Sequence, residues 1–138
     1  MFRKIMVPVD LAHLPSLQKA LDVAADLARQ YESALCYVGV TTSQPNPVAR
    51  NPDEYRSKLE AFAREHAPDN NRAPSVAVYN SHDPVIDLDE ILVRAVSELQ
   101  VDLVVMATHL PHHIDAIMPA NGSKVAAHTN VSVFLVRP

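Results

Sequence analysis

Five short apolar runs alternate along this chain with four helical stripes, and that alternation constrains the fold more than any other feature. Residues 4–9 (KIMVPV) read as a first strand that ends at Asp10. From Ser16 onward, Leu17, Ala20, Leu21, Ala24, Leu27, Ala28 and Tyr31 recur at three- and four-residue steps, one face of a helix. The Ser16 hydroxyl is expected to cap that helix by accepting from a backbone N–H of its first turn. Residues 34–40 (ALCYVGV) form a second strand; residues 41–50 hold two prolines and no apolar period, a loop. Asn51-Pro52 then opens a helix, with Pro at its first position and Glu54 three residues after the cap. Its stripe is Tyr55, Leu59, Phe62, Ala63 and His66. After a polar connection, residues 75–79 (SVAVY) alternate as a third strand. Asp87 and Glu90 have the spacing of a cap pair for the face Leu88, Ile91, Leu92, Ala95, Val96 and Leu99. Residues 101–107 (VDLVVMA) are almost continuously apolar, as a buried parallel strand must be. A loop over 108–120 leads to a short helix from Asn121 to His128, and the run from Val131 to Val136 (VSVFLV) closes the chain.

Strand–helix alternation of this length means an α/β fold: a five-stranded parallel sheet, doubly wound, with right-handed crossovers and helices on both faces. In such sheets ligands bind beyond the carboxyl ends of the strands, at the switch point. The pattern puts Asp10, Val40, Thr41 and residues 107–109 there.

Composition narrows the function. The 138 residues suit a single domain with a full core, and 48% apolar against 20% charged is the globular balance. A net charge of −4, no Trp and 5% aromatics leave neither a basic face nor stacking platforms, which excludes nucleic acid as a partner. No run approaches membrane-spanning length, and the apolar stretch at the N-terminus is too short for a secretory signal. The lone Cys36 forms no internal disulfide and reads as an inert core residue, so a reducing, cytoplasmic setting is expected. Only Gly39 and Gly122 are present, where average usage gives roughly ten glycines. A phosphate cradle of several glycines is therefore excluded.

At these same positions the sequence resembles the universal stress protein family. The residues that carry the likeness are VPVD at 7–10, VGV at 38–40, DLVVMATH at 102–109 and NGSKVAAHTNVSVFLVR at 121–137. It extends over essentially the whole chain, nearest to members that read Ala-Ser-His-x-Pro after strand four, as Ala107-Thr108-His109-Leu110-Pro111 does. The resemblance implies strand order 3-2-1-4-5, an adenine-nucleotide alpha-hydrolase-like sheet, and a binding and signalling module of the stress response. It also implies an ATP or AMP pocket at the carboxyl edge and a homodimer formed through Val131 to Val136. By resemblance, Pro8, Val9 and Asp10 border base and ribose, Val40 packs on the ring, and Ser132 and Val133 line the other side. Ala107, His109, Asn121, Gly122 and Ser123 fall toward the phosphates. For Pro8, Val9 and Val40 the alternative is plain strand-end core; for Asp10 it is a turn-stabilising carboxylate.

The sequence departs from the family at the phosphate end. ATP-binding members commonly carry Gly-x2-Gly-x9-Gly-Ser/Thr after strand four; here the first two glycines fall on Ala107 and Leu110. The last pair falls on Ala120-Asn121, or on Pro119-Ala120 with the shorter loop. Gly122-Ser123 sits two or three residues late. Pro119 has no N–H and Leu110 a branched side chain, while Lys124 and a helix terminus supply the positive charge. Tight ATP binding by the usual route is not expected, and the pocket reads as degenerate.

His109, His112, His113 and Asp115 share one loop. A metal centre there is the alternative to a polar loop over the pocket mouth, and no metal is assigned because adjacent histidines diverge. These histidines also suit a smaller anion or a monophosphate near pH 6. No nucleophile elbow, Cys–His pair or carboxylate pair is present, so no catalytic residue is expected. Two other readings are a slow ATP hydrolase or phosphotransfer protein, and a purely structural or partner-binding domain whose pocket is empty.

Overall fold

Each apolar run of the sequence becomes a strand and each stripe a helix. The computed structural model describes residues 1–70, 72–108 and 121–137. The strands are β1 (Lys4–Pro8), β2 (Ala34–Thr41), β3 (Ser75–Asn80), β4 (Leu103–Ala107) and β5 (Ser132–Val136). Between them lie α1 (Gln18–Tyr31), α2 (Pro52–Glu65), α3 (Pro84–Glu98) and α4 (Asn121–His128). The strands form one parallel sheet in the order β3-β2-β1-β4-β5. The α/β, doubly wound architecture and the order 3-2-1-4-5 expected from the sequence are therefore observed.

Alternate side chains of the central strands enter two separate cores, as the pleat demands. Ile5, Val7, Leu35, Tyr37, Leu103 and Val105 pack under α1 and α2. Met6, Cys36, Val38, Val104 and Met106 pack on the opposite face with α3 and α4. Burial on both faces is why these strands read as continuous apolar runs.

Two side chains fasten distant parts of the first core and the sheet. The Tyr37 hydroxyl donates to the His66 carbonyl at 2.9 Å, and its ring meets Phe62 edge-on at 5.5 Å. The Asp102 carboxylate, just before β4, accepts from the backbone N–H groups of Arg3 at 2.9 Å and Lys4 at 3.0 Å. This fixes the register in which Ile5 lies beside Leu103.

Gly39 is a notch in β2. A Cβ there would lie 2.5 Å from Tyr55 Cε1 and 3.2 Å from Leu59 Cδ2, so only a bare backbone lets α2 seat against the strand. Neither glycine has a positive φ. The left-handed positions are instead Glu32, at φ 53°, which ends α1, and Gln100, at φ 52°, after α3.

Three local expectations need correction. Ser16 does not cap α1: a 3₁₀ helix over Leu11–Leu17 runs straight into α1, and the Ser16 hydroxyl donates back to the His13 carbonyl. Asp87 and Glu90 do not open α3. The helix starts a turn earlier at Pro84, where Asp83 accepts from the Ile86 N–H. Strand one stops at Pro8, with Val9 beyond it and still bonded to the Val38 carbonyl at 2.8 Å. The Asn51 cap is as expected, accepting from the Glu54 N–H at 2.8 Å.

Candidate functional site

The chain leaves β1 for α1 on one face and β4 for α4 on the other, so a crevice opens between their carboxyl ends. Register fixes what borders it. Pro8 pairs with Val38 and Met6 with Val104, which brings Asp10 level with Val40 on one side and Thr108 on the other. Val9 is buried, while Pro8, Val40, Ala107 and Thr108 are half-buried. The Thr108 N–H donates to the Val136 carbonyl at 2.9 Å and ties the β4 end to β5.

Asp10 works first for its own loop. One carboxylate oxygen accepts from the Ala12 N–H at 3.0 Å and the other lies 2.8 Å from His13 Nδ1. With 43% of its side chain exposed, it keeps lone pairs for a further donor. His13 sits at a kink of the 3₁₀ helix, held there by Asp10. The sequence carried this pair only as an acid three residues before a histidine. Beneath the loop lies Tyr55, which is buried. Burial pushes its phenol up to about 12, the nearby Leu11 backbone opposes this, and the Asp10 charge adds to it. An apolar groove of about 530 Å³, lined by Leu11, Leu14, Val48 and Phe62 among others, runs along the outer side of the same loop.

The phosphate end is built differently from expectation. Gly122 is buried in the first turn of α4, and a Cβ there would collide with the Leu135 side chain. It is a packing notch for the Leu135 side chain of β5. Ser123 is exposed beside it. Lys124 is paired with Asp89 of α3 at 2.9 Å, and the second Asp89 oxygen is buried without a hydrogen-bond partner among the described residues. No periodicity or motif signals that contact, which joins two helices.

Ser132 and Val133 do not reach the crevice. Ser132 pairs with Leu103 and Val133 with Val104, at the amino end of β5. At about 3.3 Å per residue, Ser132 lies roughly 13 Å along the strand from the Ala107 end. The β5 residue beside Ala107 is Val136. Asn121 opens α4. His109, His112, His113 and Asp115 lie outside the described residues, as does the rest of 109–120. Among the described residues no three metal-ligating side chains converge.

Comparison with known proteins gives the family and the fold. The model of the universal stress protein family matches residues 1–137. The chain belongs to that family. No curated protein matches the sequence. Solved universal stress proteins share the fold. One in complex with cAMP is 18% identical, with 98% of this chain and 97% of that chain covered and a TM-score of 0.68. Universal stress protein UspA from Lactobacillus plantarum is also 18% identical, over 98% of this chain and 97% of that one, at a TM-score of 0.63. The universal stress protein from Archaeoglobus fulgidus in complex with dAMP is 14% identical over 96% of each chain, at a TM-score of 0.60. Among the described residues of this universal stress protein, no helix is long and apolar enough to cross a membrane.

Proposed function

We propose that the protein is a non-catalytic binding module of the stress response that takes an adenine nucleotide of the AMP class at the carboxyl edge of its sheet. The observation that carries this reading is the register that sets Asp10 level with Val40 and Thr108 across the β1–β4 crevice. The universal stress proteins solved with cAMP and dAMP support it, since both ligands carry a single phosphate. The base lies against Pro8, Val9 and Val40, the ribose hydroxyls donate to Asp10, and the phosphate faces the amino end of α4. The run Ala107-Thr108-His109-Leu110-Pro111 supports membership of the Ala-Ser-His-x-Pro subgroup.

We further propose a homodimer through β5 and a cytoplasmic location. β5 ends the sheet, and Phe134 at 45% and Leu135 at 37% exposure leave apolar surface on both faces of that edge strand. An apolar edge of this kind is normally paired or covered.

The test is mass spectrometry of whatever the purified protein releases on denaturation, followed by titration calorimetry with AMP, ATP and phosphate at two pH values. AMP or another adenine monophosphate is expected. Asp10→Asn, which keeps the acceptor for Ala12, is expected to weaken AMP binding about tenfold. Absence of any nucleotide, with no heat on titration, refutes the reading. Release of ATP at near-stoichiometric yield refutes the monophosphate preference.

A further inference from the structure

Asp10 is one half of a couple. Register sets it at the border of the β1–β4 crevice, and its Oδ2 lies 2.8 Å from His13 Nδ1. An ionised carboxylate only accepts, so Nδ1 is the ring nitrogen that donates and Nε2 is the free end of the imidazole. The backbone of His13 is held as firmly as its ring. Its N–H donates to the Asp10 carbonyl at 3.0 Å, and its carbonyl accepts from the Ser16 hydroxyl at 2.8 Å. These contacts keep it at φ −134° and ψ 45°, out of the 3₁₀ path of its neighbours.

The ring is oriented yet open. The His13 side chain is 60% exposed and that of Asp10 43%, and Nε2 has no hydrogen-bond partner among the described residues. The Ala12 N–H takes one lone pair of Oδ1 and His13 takes one of Oδ2, so the carboxylate keeps capacity for a further donor. A sugar with two adjacent hydroxyls brings two donors to this spot. Asp10 takes one, and the second falls to the imidazole bonded to the same carboxylate. A hydroxyl donates to a bare Nε2 and accepts from a protonated one, so the contact serves either state of the ring.

We infer that His13 is a second sugar-reading residue of the site, and that Asp10 and His13 together select a ribonucleotide over either deoxy form. The inference rests on the nucleotide reading above. Both groups are partly open to water. A missing hydroxyl therefore costs one exchanged hydrogen bond, about fivefold in affinity, and not the larger penalty of a buried group left bare.

The experiment is calorimetry of AMP, 2′-deoxy-AMP and 3′-deoxy-AMP with the wild-type protein and with His13→Asn. The asparagine amide stands where Nδ1 does and donates to Asp10, but it puts nothing in the place of Nε2. Thermal unfolding, recorded alongside, should be unchanged. In the wild type each deoxy nucleotide should bind about fivefold more weakly than AMP. In His13→Asn one of those penalties should vanish, and the other, set by Asp10, should remain. Penalties that both survive in the variant overturn the inference, even where all three ligands weaken together, because His13 then only holds the loop. Penalties that vanish together, or that the wild type lacks while it binds AMP, overturn it as well and spare the nucleotide reading. Failure of the wild-type protein to bind any of the three nucleotides refutes the nucleotide reading itself, and this inference with it.

Discussion

Replacing Gly39 by alanine drives a methyl group into the seat of α2. The new Cβ would stand 2.5 Å from Tyr55 Cε1, 3.2 Å from the Tyr55 hydroxyl oxygen and 3.2 Å from Leu59 Cδ2. Ordinary carbon contacts are about 3.5–4.0 Å, so the ring must retreat by about 1 Å. It has nowhere to go: Tyr55 is 4% exposed and Leu59 0%. Overpacking of this kind costs about 1–3 kcal/mol, and alanine returns about 0.5–1 kcal/mol because glycine is disfavoured inside a strand. The net expectation is a loss of about 1–2 kcal/mol. With a urea slope of about 2 kcal/mol/M for a chain of this size, the midpoint falls by about 0.5–1 M. The chain has no Trp, so the transition is followed by circular dichroism. Because the Tyr55 phenol lies close to the Leu11 backbone and the Asp10 charge, the same wedge should also loosen the Asp10 loop and weaken AMP binding. Tyr55→Leu in the Gly39→Ala background removes the obstruction, and a double-mutant cycle should give a favourable coupling of about 1 kcal/mol. An unchanged or raised midpoint for Gly39→Ala refutes the packing argument.

Other substitutions test other parts of the fold. Burial pushes Tyr37 and Tyr55 to about 12 from 10.0, so their stabilising effect is complete below pH 10 and is lost as pH rises toward 12. Urea midpoints measured across that window should fall, and less steeply in the Tyr37→Phe, Tyr55→Phe double variant. Glu32→Gly removes a left-handed side chain and should raise stability by about 0.5–1 kcal/mol, read from the same transition. Asp102→Ala leaves the Arg3 and Lys4 N–H groups without their carboxylate and should cost about 2 kcal/mol in chemical denaturation. Phe134→Asp places a charge on the outer side of β5 and should shift a dimer to monomer in analytical ultracentrifugation, with the circular dichroism spectrum unchanged.

What the sequence made legible was the local and the periodic. The Asn51 cap was readable because acceptor, proline and N–H donor lie within four residues. Strand order followed once alternation and resemblance were combined. The start of α3 was misread because Asp87 and Glu90 mimic a cap pair within a continuing helix, and the true cap, Asp83, precedes a turn in which Ile86 is 76% exposed and breaks the apolar stripe. Ser16 was misread because a 3₁₀ helix continues into α1 and the helix has no free first turn there. At the site, Pro8, Val9, Asp10, Val40 and Ala107 were legible as strand ends. Ser132 and Val133 were not, because knowing that a segment is a strand does not give the rung on which it pairs. The Asp89–Lys124 pair and the fit of Tyr55 into Gly39 depend on contacts between elements, which no periodicity encodes.

The clamp between Asp102 and the first residues of β1 has a consequence for how the site comes into existence. β3, β2 and β1 are neighbours built from the first 80 residues, whereas β1 meets β4 only through bonds that span 98 and 99 residues. As the chain leaves the ribosome, one edge of β1 waits for β4. A nascent chain that stops short of Leu103 has Pro8, Val9, Asp10 and Val40 and nothing to face them. The crevice therefore forms only after β4 has joined the sheet, and its ligand does not recognise a chain in which that edge of β1 is still open.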